Sequence, residues 1–399
     1  MPTFRDFFAG PWRAVLVLGV TQIVAWGALF YPPVLTLPLI AAERGWSLTF
    51  AMGGFSLGLL VAGLVAPRVG RLIDRHGGHR VMPFGSLLAA LGLVLLVHAE
   101  NPASYLAVWV LLGAAIAASL YDPAFATLGR IFGAGARLPI TVLTLAGGFA
   151  STVSWPVTHV LIEAAGWRGA YLAYAAVLAL VAAPLHAFVL PRMRADLAAP
   201  LPGAPAPPPV LPAHGFAFIA VAAAFAAYAF VPSGLSAHLL AMFSRAGIDA
   251  GTAVAIGALF GPSQVAARIC ELIFARNIHP LTIARAAVAI LLAAFGLIAL
   301  LGLSVATAAA FAVMFGMANG LITIARGTVP LALFGPTGYG AVVGRIAGPS
   351  LVMQALAPLV FAFIAERVSD PAALALAAAL ALAALVCFLL LRGPNRSRT

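Results

Sequence analysis

The chain contains no lysine; all 22 of its basic residues are arginine. It has only two cysteines, Cys270 and Cys387, and only 11 acidic residues, so charged side chains make up 8% of 399 positions. Both cysteines sit inside apolar stretches and read as small packing residues, not as a disulfide framework or metal ligands. A soluble domain of this length needs far more polar surface than such a charge content supplies. The missing lysine reflects coding bias, and no function is argued from it.

What the chain has in excess is apolar: 63% of residues are hydrophobic and the mean hydropathy is +1.08. Lipid is the solvent that suits such a composition. Stretches long enough to cross a hydrocarbon core of about 30 Å recur along it, and each reads as helix because backbone exposed to lipid must satisfy its own hydrogen bonds. Twelve are predicted, over residues 14–38, 48–69, 81–99, 103–128, 139–163, 170–190, 215–241, 250–274, 281–303, 305–329, 340–364 and 371–391. The first is preceded by Arg5 and Arg13, as a signal peptide would be, but it is too long and lacks a small-x-small cleavage site. It is read as the first span.

The net charge of +11 raises the question of nucleic acid. The arginines, however, are distributed by side of the membrane and form no single patch, so no nucleic-acid partner is expected. With a cytoplasmic N-terminus, only Arg44, Arg168, Arg245 and Arg367 fall outside, as the positive-inside rule requires. This predicts a multi-pass protein of the cell inner membrane with both termini cytoplasmic.

Residues 191–214, PRMRADLAAPLPGAPAPPPVLPAH, hold eight prolines in 24 positions and read as an irregular cytoplasmic linker. It separates residues 1–190 from residues 215–399, each with six predicted helices. The halves match weakly at an offset of 200, Pro32 with Pro232 and VAPRVGRLI at 65–73 with VAARICELI at 265–273, including Arg68 with Arg268. A duplicated transporter half leaves such a trace.

Between the second and third spans stands Gly70-Arg71-Leu72-Ile73-Asp74-Arg75-His76-Gly77-Gly78-His79-Arg80. It resembles the G-x-x-x-D-R-x-G-x-x-R signature of the major facilitator superfamily. The resemblance covers the whole chain and implies an all-α membrane protein, twelve transmembrane helices in two pseudo-symmetric six-helix bundles that rock about a central site. Physically, the glycines permit a tight turn, and Asp74 can face the positive end of a helix. In the family that helix is the eleventh, and Gly70, Asp74, Arg75, Gly77 and Arg80 form a conformational latch. The arginines also enforce topology. A narrower resemblance, to the monocarboxylate and oxalate/formate branch, rests on Gly45-Trp46-Ser47, the loop just quoted, Tyr121-x-Pro123 and Gly166-Trp167-Arg168. It implies that Arg268 engages a substrate carboxylate, with Gln264 where the branch often has aspartate, and that Arg345 matches a basic residue of the eleventh helix.

Ionisable groups inside a span are costly and mark pathways or partners. Asp122, Arg268, Glu271 and Arg326 qualify. A guanidinium suits a carboxylate because its planar fork donates two parallel hydrogen bonds. Arg268 has a second reading as the partner of Glu271, three residues on. Asp122 and Arg326 fall at nearly equivalent places in the halves, judged by Phe132-Gly133 and Phe334-Gly335. They are read as gate or proton-coupling groups, with a permanent structural pair as the alternative. His238 is a candidate proton carrier or an interfacial histidine reaching water, and the latter reading covers His98, His159 and Glu163. Gln22, Trp26 and Tyr31 combine polar handles with aromatic surface, as a small-molecule pocket would, or are simply packed.

No constellation of an enzyme is present, no filter-like loop of a channel, and no soluble sensor domain. The sequence therefore predicts a secondary active transporter that moves a small carboxylate in symport with protons by alternating access. The alternative is export of a drug or metabolite, to which LTLAGGFASTVSWP at 143–156 bears a loose resemblance. No cofactor or metal is expected; the expected partners are a small-molecule substrate, protons and the lipid bilayer, for a monomeric protein.

Overall fold

The computed structural model describes residues 10–192 and 211–391; most of the predicted linker, together with Arg5, lies outside them. The described residues form helices and short connections. In the first half these are α1 (Arg13–Leu29), α2 (Pro33–Arg44), α3 (Leu48–His76), α4 (Gly78–His98), α5 (Pro102–Ser119), α6 (Tyr121–Phe132), α7 (Arg137–Gly147) and α8 (Ala150–Val177). In the second half they are α9 (Phe216–Arg245), α10 (Ala250–Ala258), α11 (Phe260–Cys270), α12 (Pro280–Leu301), α13 (Val305–Phe334), α14 (Tyr339–Arg367) and α15 (Asp370–Leu390).

Several predicted spans are made of two helices. The first is split into α1 and α2 at Pro32 and Pro33, which lack the N–H a continuous helix needs. By length and composition, ten continuous stretches among the described residues suit a membrane crossing, but one of them, Pro102–Val189, is 88 residues long. At about 1.5 Å per residue it is several times the thickness of a hydrocarbon core. Its backbone turns at Gly133 (φ 56°) and Gly166 (φ 69°), a region of φ that glycine enters without a steric penalty. Those two turns divide it into three passes and bring the total to twelve.

The outward surfaces fit lipid. Phe84, Phe188, Phe274 and Leu300 are each more than 70% exposed, which water would penalise and hydrocarbon does not.

Of the described residues, those within Met1–Pro207 and Pro336–Gly348 pack as one unit, and those within Pro208–Gly335 and Pro349–Thr399 as another. Each is built on a close helix crossing. In the first unit α3 meets α5 so tightly that a Cβ on Gly113 would lie 2.4 Å from the Gly58 carbonyl oxygen. In the second, α11 meets α13 likewise, and a Cβ on Gly316 would lie 2.6 Å from the Phe260 carbonyl oxygen. Small residues at crossings are what membrane helices need, since lipid tails remove the hydrophobic drive and leave van der Waals packing.

Landmarks inside the two units recur with one register. Ser47 caps α3 by accepting from the Phe50 amide, and Asp249, 202 positions on, caps α10 by accepting from the Thr252 amide. The hydrogen bonds from Thr252 hold the Asp249 carboxyl below its ordinary range. Asn101 with Ser104 and Ser304 with Thr307 form capping boxes at the starts of α5 and α13. Each unit also has a clamp spanning 125 residues, but of opposite polarity. Arg168 donates to both carboxylate oxygens of Glu43 (2.7 and 2.5 Å), and Arg245 donates to both of Asp370 (2.7 Å each). The structural repeat thus runs at 202 to 203 residues. The offset of 200 read from the sequence is corrected, because apolar letters match readily when a helix is slid by half a turn. In the structural register Arg268 corresponds to Ala66, not to Arg68.

Candidate functional site

The signature loop closes on a helix end. Asp74 sits in the last turn of α3, and its carboxylate accepts hydrogen bonds from the backbone amides of Gly340 (2.8 Å) and Ala341 (2.7 Å) in the first turn of α14. Those amides have no partner within their own helix, and the helix dipole adds partial positive charge there. Gly70 makes the approach possible, since a Cβ on it would lie 2.0 Å from the Gly340 carbonyl oxygen. The contact continues at one-turn intervals: a Cβ on Gly344 would lie 2.4 Å from the Ala66 carbonyl oxygen and one on Gly348 3.1 Å from that of Gly63. Gly77, at φ 82°, ends α3, while Arg75 and Arg80 are exposed. Arg130 of α6 donates to the Asp74 carbonyl. Arg130 is not among the candidates of the sequence reading, and nothing local in the sequence distinguishes it.

Asp122 lies two passes on, in the first turn of α6. It lines a narrow crevice with Ala66, Val69, Gly70, Pro123, Gly340 and Gly344. Asp74 and Asp122 therefore both border the same glycine-bearing turn of α14. The break before α6, at Leu120, has an extended backbone (φ −86°, ψ −155°) that the sequence reading did not place.

Gln22 is fully buried on α1. Its Nε2 donates to the Ser119 carbonyl (2.7 Å), and its Oε1 accepts from the Trp26 indole (3.1 Å). Trp26 packs against Phe30 (4.8 Å between ring centroids), Tyr121 (5.1 Å) and Tyr31 (6.1 Å). Tyr31 in turn meets Trp155 edge-on at 6.3 Å, and the half-exposed Trp155 borders an open groove with Leu35, Ser151, Thr152, Pro156 and His159. Gln22, Trp26 and Tyr31 are thus brought together, with Gln22 behind the aromatic surface. Tyr121 and Trp155 belong to that surface; the sequence marked Tyr121 only as part of the Tyr121-x-Pro123 motif and did not single out Trp155.

In the second unit Arg268 is 3% exposed on α11. Its guanidinium donates to the Gln264 side chain (3.1 Å, from Nη2) and its Nε to the Gly320 carbonyl (3.4 Å). Gln264 sits one turn before Arg268, so the pair shares a helix face. Glu271 is equally buried and begins a π-helical turn, Glu271–Ala275, of the kind often found at functional sites. Arg326, on α13, belongs to this unit, whereas Arg345, on α14, packs with the first. His238 donates from Nε2 to the Pro358 carbonyl (3.2 Å) and stacks on Phe361 at 5.4 Å, so it is packed within the unit.

The family model described as Major Facilitator Superfamily matches residues 15–325. The chain belongs to the major facilitator superfamily. Among solved structures, this superfamily member is similar to the human organic anion transporter MFSD10 (TETRAN), with a TM-score of 0.71 at 18% identity over 97% of this chain and 100% of that one. It is also similar to the major facilitator transporter FucP in the outward conformation, with a TM-score of 0.68 at 14% identity over 96% and 99%. At such identities these likenesses establish the fold. Human monocarboxylate transporter 11 is 32% identical over 158 residues, 39% of this chain and 32% of that protein. Its mouse counterpart is 32% identical over 123 residues, 31% of this chain and 27% of that protein. The match spans about a third of the length of these curated relatives. The superfamily is one of multi-pass membrane transporters, and the described residues supply the long apolar helices that such a protein needs.

Proposed function

We propose that the protein carries a small organic carboxylate together with protons across the cell inner membrane by alternating access. The observation that carries this reading is the buried guanidinium of Arg268. A permanent cation inside a span is expensive and needs an anionic or strongly polar partner, and its planar fork matches a carboxylate. Gln264 and Gly320 fix the orientation of the fork. The names of the relatives, a monocarboxylate transporter and an organic anion transporter, agree in substrate class with it.

Under the same proposal the Asp74 contact acts as a latch on the first turn of α14, and Asp122 and Arg326 serve as gate or proton-coupling groups. Residues 1–190 and 215–399 act as the two moving bundles, with both termini cytoplasmic and the protein working as a monomer. Proteoliposomes provide the test. Labelled pyruvate, lactate, oxalate and succinate are offered with and without an inward proton gradient. Faster uptake of at least one under the gradient is expected. If none moves, while cationic drugs are transported, the protein is an exporter of the kind the sequence left as an alternative.

A further inference from the structure

Pro123 has no N–H, so the carbonyl four residues earlier, that of Ser119, loses the donor an unbroken helix would give it. The chain turns extended at Leu120, and α6 restarts at Tyr121 with Asp122 in its first turn. A carbonyl left in this way inside a membrane protein needs a donor from elsewhere. The amide of Gln22, from a different pass, supplies it at 2.7 Å, and the same side chain's oxygen receives the Trp26 indole at 3.1 Å. Both polar atoms of this fully buried amide are therefore engaged by protein groups. The second unit repeats the device with other residues. Pro358 withdraws the donor for the Gln354 carbonyl, and Ser233 Oγ, from α9, donates to that carbonyl at 2.8 Å.

We infer that Gln22 is a positioning residue for transport: it mends the helix broken by Pro123 and so fixes Asp122, while aiming Trp26 at the aromatic surface. The atom that binds Ser119 and the atom that binds Trp26 belong to one planar amide, so the broken helix and the indole are held in a single geometry. A glutamate, when ionised, would keep the acceptor for Trp26 and lose the donor for Ser119, whereas its protonated form could still donate through the O–H. A leucine would lose both. This role deepens the transport reading for Asp122 and rests on it, although the hydrogen-bond repair does not.

The repair makes a specific prediction about coupling between Gln22 and Pro123. Pro123→Ala removes the ring that clashes with the Ser119 carbonyl, so the helix can run on through Leu120, its new N–H can then reach that carbonyl, and the Gln22 donor becomes redundant. The experiment measures uptake of labelled pyruvate into proteoliposomes, with KM, Vmax and pH profile, and the thermal midpoint of the purified protein. The four proteins are wild type, Gln22→Glu, Pro123→Ala and the Gln22→Glu/Pro123→Ala double variant. Gln22→Glu alone should lower Vmax about tenfold, move the pH profile, leave KM within twofold and lower the midpoint. Adding it to Pro123→Ala should change Vmax by less than twofold and leave the midpoint where Pro123→Ala puts it. Equal effects of Gln22→Glu in the two backgrounds overturn the inference. So does a tenfold rise in KM with Vmax unchanged, which would make Gln22 a substrate ligand. If pyruvate and the other carboxylates do not move in wild type, the substrate reading fails by itself, and the midpoints alone decide the repair: coupling supports it, additivity overturns it.

Discussion

The two oxygens of Asp74 accept separately from the successive amides of Gly340 and Ala341, at 2.8 and 2.7 Å, so one carboxylate caps the start of a helix 266 residues away in sequence. The arrangement joins a charge, a helix dipole and two otherwise unpaired donors.

Asp74→Asn keeps the size and one acceptor but removes the charge. Loss of the charge–dipole interaction and of one hydrogen bond should cost about 1–2 kcal/mol. Uptake of the transported substrate should fall about tenfold while its binding, read by thermal stabilisation, persists. Unchanged turnover would reduce the loop to a determinant of topology.

The glycines along α14 should differ in their tolerance of a methyl group. At Gly344 a Cβ would meet backbone at 2.4 Å, whereas at Gly348 the nearest atom is at 3.1 Å. Gly344→Ala should therefore destabilise by about 1–3 kcal/mol, as overpacking does, and Gly348→Ala by less. Thermal midpoints of the two purified variants check the order, and the reverse order would contradict the close crossing.

Arg268→Lys preserves the charge and loses the planar fork that Gln264 and Gly320 orient. Substrate affinity should fall about tenfold or more in Arg268→Lys and further in Arg268→Gln, with normal membrane insertion in both. Equal affinity in the two variants would return Arg268 to a structural partner of its own helix.

Asp122 borders the turn of α14 that Asp74 caps, in a crevice of mostly apolar lining. If it carries the coupling proton, Asp122→Asn should flatten the dependence of uptake on pH while substrate exchange without a gradient continues. An unaltered pH profile would assign proton coupling to another group.

The clamps of opposite polarity predict a rescue. Glu43→Arg should cost about 0.2–1 kcal/mol beyond the loss of packing, as exposed pairs do, and Glu43→Arg with Arg168→Glu should recover most of it. A double-mutant cycle on thermal midpoints checks this. The Arg245 and Asp370 pair already shows that the reversed polarity is accepted at the equivalent place.

Much of the site was legible in the sequence, and for identifiable reasons. The Gly70 to Arg80 loop gives itself away because glycine, aspartate and arginine are scarce in such an apolar chain, and their spacing stands out. Buried Arg268 and Glu271 are visible for the same reason. Arg130 is not, and neither is the carbonyl that Gln22 serves. The two side chains act on main-chain carbonyls, of Asp74 and of Ser119, and a carbonyl has no letter in the sequence. The register of the repeat was misjudged by two to three residues because leucine, valine and alanine recur everywhere, while the caps and clamps that fix it are polar and few.

By itself the sequence determined that this chain must live in lipid, cross it twelve times and turn at its prolines and glycines, since each of these follows from local composition and backbone sterics. The tertiary structure alone decided which donor reaches the carbonyl that Pro123 releases, and which helix end Asp74 caps. Those outcomes depend on which passes lie side by side, and side-chain hydrogen bonds form only across distances that packing sets.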